Sequence, residues 1–209
     1  MAVIAISRKF ASGGRRLGRH LAKRLGYDYV DKFSFQKIAE DLHVSQATLE
    51  AFEMGKQYRV SNLFSKAVSR NYLERIVGHD NTIVEDQTYQ ETLRSIILQL
   101  AEKGNVVLIG RAAHFILKDM ENCYRFRLVA PREWREQYAV EYHGVQPSDA
   151  AAVVERRDRS QMWFLRSVCG EGFDDPILFH MTLNMNLIPF EQALEHLLMV
   201  VNLGEQASA

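Results

Sequence analysis

The chain has only two cysteines, Cys123 and Cys169, and no C-x-x-C spacing. That excludes a disulfide scaffold and a cysteine-based zinc site. It fits a reducing compartment, where a free cysteine serves as a small core residue. Four prolines and 12 glycines in 209 residues leave no Pro/Gly-rich linker or low-complexity tract. No apolar run approaches the ~20 residues of a membrane span. The apolar opening, Met1–Ser7, precedes Arg8 and Lys9, the reverse of the charge order in a signal peptide. A cytoplasmic protein with no membrane contact is expected. Neither sign of charge is in excess, with 26 basic and 26 acidic residues, so a global basic bias toward nucleic acid is missing.

Several motifs are missing as well. The G-x-G-x-x-G dinucleotide fingerprint does not follow the first predicted strand, which argues against an NAD enzyme. No G-x-S-x-G element marks a hydrolase nucleophile. No His, Cys or Asp grouping has metal-ligand spacing. The phosphate-loop pattern G-x-x-x-x-G-K-[ST] is also absent.

What is present is an alternation of strands and helices. Apolar residues make up 47% of the chain, enough for a sizeable core in one domain over 1–209. Ala2–Ile6 is a continuous apolar run, the pattern of a strand buried on both faces. Ser7–Gly14 reads as a polar loop. Leu17, Leu21 and Leu25 then recur at helical spacing up to Gly26. Further strands are expected at Tyr27–Val30, Val106–Ile109, Cys123–Val129 and Ile177–Leu183. Helices are expected over Lys32–Asp41, over Gln46–Met54 with Ser45 as cap, and around Leu93–Ala101. Others follow at Phe115–Leu117, after Pro131, from a Ser148 cap toward Leu165, and after Pro189. This order predicts an α/β fold, a parallel sheet with helices on both faces. Ligands gather at the carboxyl ends of such strands, which singles out the loop 7–14, Asp31 and Gly110–Arg111.

The segment Ser7-Arg8-Lys9-Phe10-Ala11-Ser12-Gly13-Gly14 joins a strand to a helix. Its amides and the helix N-terminus can converge on an anion. From Arg8 to Arg24 there are seven basic residues and no acidic one. Arg15 and Arg16 lie at a helix N-terminus, where the dipole disfavours cations and a bound polyphosphate would remove the conflict. With no GK pair, the cation for the terminal phosphates must come from elsewhere, and Arg15 or Arg16 is the candidate.

Ile6–Ala22, I-S-R-K-F-A-S-G-G-R-R-L-G-R-H-L-A, resembles the opening of the cytidylate-kinase-like family. The likeness continues through Leu25–Lys32, Val106–Leu117 and Ala130-Pro131 with Arg135. The resemblance implies a P-loop kinase fold with a helical insertion at about 42–85, on the nucleoside monophosphate side, and a lid at about 145–176. It implies ATP and Mg2+ as cofactors and nucleotides as substrates. Ser12, Gly13 and Gly14 would hold donor phosphates. Asp31, Arg111 and Arg135 would serve the acceptor side. Arg157 and Arg159, beside Arg156, would supply lid charge. Four positions depart from the family pattern: Ala11 for a loop glycine, His114 for an aspartate, Gln161 for a lid arginine and His180 for a late aspartate. Trp134 and Trp163 are read as packing rather than base-stacking residues. Three readings stay open: a nucleoside monophosphate kinase acting on CMP or dCMP, a diverged nucleotide-binding protein without turnover, and, least favoured, a nucleic-acid binder.

Overall fold

The computed structural model describes residues 1–35 and 81–207. The elements are β1 (Val3–Arg8), α1 (Gly14–Leu25), β2 (Asp28–Val30), α2 (Asn81–Lys103), β3 (Val106–Ile109), α3 (Ala113–Ile116), β4 (Cys123–Val129), α4 (Arg132–His143), α5 (Ala150–Cys169), β5 (Met181–Asn184) and α6 (Phe190–Ala207). The strands form one sheet in the order β2-β3-β1-β4-β5, parallel at every pairing.

The central strand explains why the sheet is covered on both sides. Val3 and Ala5 pack on one face with Leu93, Ile97 and Ala101 of α2 and Phe164 of α5. Ile4 and Ile6 pack on the other with Leu17 and Leu21 of α1 and Leu194 and Leu197 of α6. Alternate residues of a strand point to opposite faces, so an unbroken apolar run requires a core on each. Because the neighbours of β1 are β3 and β4, the chain reverses its direction across the sheet at this strand. A crevice therefore opens at its carboxyl end.

Several boundaries differ from expectation. Ser7 and Arg8 belong to β1, because they pair with Arg127 and Leu128 of β4; the phosphate loop therefore starts at Lys9. The last strand begins at Met181 rather than Ile177. Pro176–Leu178 forms a single 3-10 turn, begun by the Asp175 carboxylate accepting from the Ile177 amide at 3.0 Å. Ile177 is 84% exposed, so its apolar character does not mark a buried strand. Ser148 does not cap α5. It lies inside the 3-10 turn Pro147–Asp149, and its hydroxyl is 3.3 Å from the Asp149 carboxylate. The helix expected over Lys32–Asp41 is present at Lys32–Phe35; its remainder, the Gln46–Met54 helix, the Ser45 cap and most of the 42–85 insertion fall on 36–80, outside the described residues. Among the described residues no helix is long and apolar enough to cross a membrane.

Candidate functional site

The carboxyl ends of β1, β2 and β3 bring three sequence motifs together. The loop after β1 is fixed by its own hydrogen bonds. The Lys9 amide donates to the Leu128 carbonyl at 3.1 Å. The buried Ser12 hydroxyl lies 2.8 Å from the Lys9 carbonyl and 3.2 Å from that of Leu128. The Ser12 side chain therefore braces the loop. Gly13 caps α1 in the left-handed region at φ +79°, a conformation glycine adopts without penalty. The first turn of α1 contains no acidic residue, and its amides have no intrahelical acceptor. Such a helix start can accept an anion.

Arg15 and Arg16 both have partners outside the loop. Arg15 meets Asp31 Oδ2 through Nε and Nη2, each at 3.2 Å, and stacks over Phe33. Arg16 lies over the rings of Phe190 and Tyr142, 4.2 and 5.5 Å from their centroids. Asp31, 4% exposed, accepts from the Phe33 and Ser34 amides at 3.0 and 3.3 Å, and Arg19 lies 3.8 Å away. Burial alone would raise its carboxyl pKa. The Ser34 and Phe33 amides, with Arg15, outweigh that and hold it below the ordinary carboxylate range. Asp31 is thus both a turn cap and the anionic partner of the α1 arginines.

Arg111 follows β3 after Gly110, with φ +56°, and its guanidinium lies 5.7 Å from the rings of both Phe35 and Phe164. A non-glycine residue in that region is uncommon, and such strain gathers at functional sites. Arg135 of α4 makes a bidentate pair with Asp158 of α5, at 2.9 and 2.8 Å. It also donates to the Phe10 and Ala130 carbonyls, both at 3.2 Å. On α5, Arg157 lies over the Phe10 ring at 5.8 Å. Arg159 pairs with Glu155 and is 73% exposed.

Three of the four departures have local explanations. The Gln161 amide donates to the Arg8 carbonyl at 2.6 Å, docking α5 on the end of β1. His180 accepts at Nδ1 from the Arg125 amide at 3.1 Å, while its own amide donates to the Arg125 carbonyl at 2.7 Å. Buried His114 lies 2.9 Å from the Phe173 carbonyl through Nε2, and its Nδ1 finds no partner among the described residues. Nε2 therefore carries the proton, and burial pushes the pKa down to about 4. Ala11 is buried with φ +59°, the backbone region that makes glycine the easier residue there.

Beside Gly13 lies a cleft of about 340 Å³, walled by Trp134, Tyr138 and Tyr142 of α4, by the segment 185–189 after β5, and by Phe190 and Arg16. The three α4 rings stack in sequence, 5.1 and 4.3 Å between centroids. This is one wall the sequence reading missed. The signal was available: Trp134, Tyr138 and Tyr142 recur at i, i+4, i+8, which places them on one helix face.

A family model described as the cytidylate kinase-like family matches residues 3–187. The chain belongs to that family. Among solved structures, an uncharacterized protein from Eubacterium ventriosum ATCC 27560 superposes with TM-score 0.64 at 16% identity, over 97% of this chain and 99% of the other. A shikimate kinase from Acinetobacter baumannii, in complex with shikimate, gives TM-score 0.52 at 16% identity, over 96% and 93%. A gluconokinase from Sinorhizobium meliloti 1021 gives 0.52 at 14% identity, over 100% and 98%. No curated protein matches. The five-stranded parallel sheet with helices on both faces is thus the P-loop kinase fold.

Proposed function

We propose that this member of the cytidylate kinase-like family is an ATP-dependent nucleoside monophosphate kinase, with CMP or dCMP as acceptor. One observation carries the reading. The loop at 9–14 borders a nucleoside-sized cleft on one side, through Gly13, and on the other Arg8 at the end of β1, whose guanidinium reaches Gly110 beside Arg111. The cleft volume is within the range of small-molecule sites, roughly 300–1,000 Å³. A donor base between the α4 rings and the 185–189 segment would lay its phosphates on Gly13, Gly14 and the first amides of α1. Arg111 would hold the acceptor phosphate, with Asp31 ordering the α1 arginines beside it. Arg157, over Phe10, is better placed than Arg159 to add lid charge. Cytidylate as the acceptor follows from the family alone.

In the transfer, an acceptor phosphate oxygen bonds to the γ-phosphorus as the bond from that phosphorus to its bridging oxygen breaks. The electron pair leaves on the donor diphosphate. No general base is needed, because the acceptor is already an anion, so catalysis is positioning and charge stabilisation. Magnesium would neutralise the donor phosphates. Such an ion is usually held by substrate phosphates, water and one or two carboxylates.

The test is ADP release with ATP, magnesium and each of CMP, dCMP, UMP, AMP and GMP. Turnover with CMP or dCMP that falls ~100-fold or more in Arg111→Ala supports the kinase reading. Folded protein that binds ATP but turns over none of the acceptors supports the binding-only reading. That alternative draws on one observation: Arg15 and Arg16, the expected phosphate cations, are engaged by Asp31 and by aromatic rings.

A further inference from the structure

Arg8, the last residue of β1, and Gly14, the first of α1, stand where the phosphate-loop pattern has a glycine and a lysine. In the pattern G-x-x-x-x-G-K, the lysine follows the first glycine by six positions. Set on Gly13-Gly14, the pattern places its lysine at Gly14 and its first glycine at Arg8. The two residues are in contact. A Cβ on Gly14 would lie 2.9 Å from Arg8 Cγ and 3.0 Å from Arg8 Cβ, so the arginine stem occupies the space where a side chain from 14 would begin. Its head reaches the other side of the crevice. A Cβ on Gly110 would lie 2.5 Å from Arg8 Nη1 and 3.0 Å from Cζ. Arg8 thus runs from the donor loop to the turn that carries Arg111.

We infer that Arg8 is the cation that holds the transferring phosphoryl group, in the role a lysine at position 14 would otherwise take. This rests on the kinase reading. Its guanidinium makes no hydrogen bond or ion pair among the described residues, although the side chain is partly buried. Burial, then the neighbouring Arg111, lowers its pKa to about 10, so it remains a cation at neutral pH. Burial, Arg111 and Arg15 disfavour the charge and Tyr29 and Asp31 offset only part of that, so the guanidinium gains from a bound anion. Phosphate oxygens bridging Gly14 and Arg111 would supply that anion, and Arg8 would donate N–H bonds to them without giving up a proton.

The test uses Arg8→Met, Arg8→Lys and the unchanged protein. Calorimetry measures the affinity for MgATP and for inorganic tripolyphosphate, and steady-state assays measure turnover on whichever acceptor the unchanged protein uses. Without ligand, Arg8→Met should melt at or above the unchanged protein, because a strained charge is gone. Its tripolyphosphate affinity should fall about tenfold or more and its turnover ~100-fold, with Arg8→Lys recovering part of each. Affinity and turnover kept within about threefold in a folded Arg8→Met protein would overturn the inference. So would an unliganded Arg8→Lys protein that melts well below the unchanged one, since Arg8 would then be a structural residue. If the unchanged protein binds tripolyphosphate but phosphorylates nothing, the kinase reading fails, and the affinity comparison alone decides whether Arg8 is the phosphate cation. If it binds neither ligand, both readings fall.

Discussion

Replacing Arg135 and Asp158 singly and together separates a structural latch from a substrate ligand. Arg135 has 7% of its side chain exposed and Asp158 has 23%, so the pair sits between a surface bridge and a buried one. Exposed pairs contribute about 0.2–1 kcal/mol, whereas breaking a buried pair costs about 3–5 kcal/mol. Arg135→Ala also strips the Phe10 and Ala130 carbonyls of their guanidinium donor, but Asp158 can turn to water. Asp158→Ala leaves a nearly buried guanidinium with only those two carbonyls. Each single change should therefore cost about 2–3 kcal/mol, a fall in Tm of about 5–10 °C for a chain of this size. The double variant should be little worse than either, giving a coupling of about 2–3 kcal/mol. Denaturant melts of all four proteins measure the coupling, and MgATP titrations of the same proteins measure any ligand role. Additive losses, with a coupling below about 0.5 kcal/mol, would refute the latch. ATP affinity lost in Arg135→Ala but kept in Asp158→Ala would instead make Arg135 a ligand, as the family resemblance implies.

Two further outcomes can be checked on the same purified protein. His114 has a folded pKa near 4 against about 6.5 in the unfolded chain. The unfolded state therefore binds the extra proton between those values. Its share of stability, about 3 kcal/mol, is full above pH 6.5 and disappears as the pH falls toward 4. His114→Phe should flatten that acid limb of the Tm–pH curve; an unchanged limb would mean that other groups drive acid unfolding. Gly110→Ala forces a side chain onto a residue at φ +73° and against Arg8. It should cost about 1–2 kcal/mol of stability and lower tripolyphosphate affinity by moving the guanidinium, and a variant with unchanged affinity would count against contact between Arg8 and the phosphate.

The parts of the fold that were legible in the sequence are those buried on a repeating pattern. Val3–Ile6 and Val106–Ile109 are apolar at consecutive positions because each faces two cores. The leucines of α1 recur every fourth residue because only one face is covered. Where burial and hydrophobicity part company, the reading fails. Ile177 is apolar yet exposed, and Arg8 is charged yet belongs to the central strand. Ser148 has the right chemistry for a cap but sits next to Pro147, whose fixed backbone begins a 3-10 turn first. The location of the candidate site was legible because strand ends are. The partners of its arginines were not, because they come from β2, α4 and α6, which only the folded sheet brings beside α1.

Those partners explain how seven basic residues can crowd one loop and helix without disrupting it. Asp31 takes up Arg15 and Arg19, Phe190 and Tyr142 cover Arg16, and Glu195 pairs with Arg24 at 2.9 Å. Asp31 and Glu195 hold their arginines by charge, while Arg16 stays on the wall of the cleft beside Gly13. Arg8 is fixed differently, by its place in β1 and by two glycines with no side chain to block it. The Gln161 departure fits the same arrangement. A neutral amide binds the Arg8 carbonyl at the point where an arginine would add a further cation beside Arg8, Lys9 and Arg127. Four of the seven basic residues, Arg15, Arg16, Arg19 and Arg24, are thereby held to the neighbours of α1.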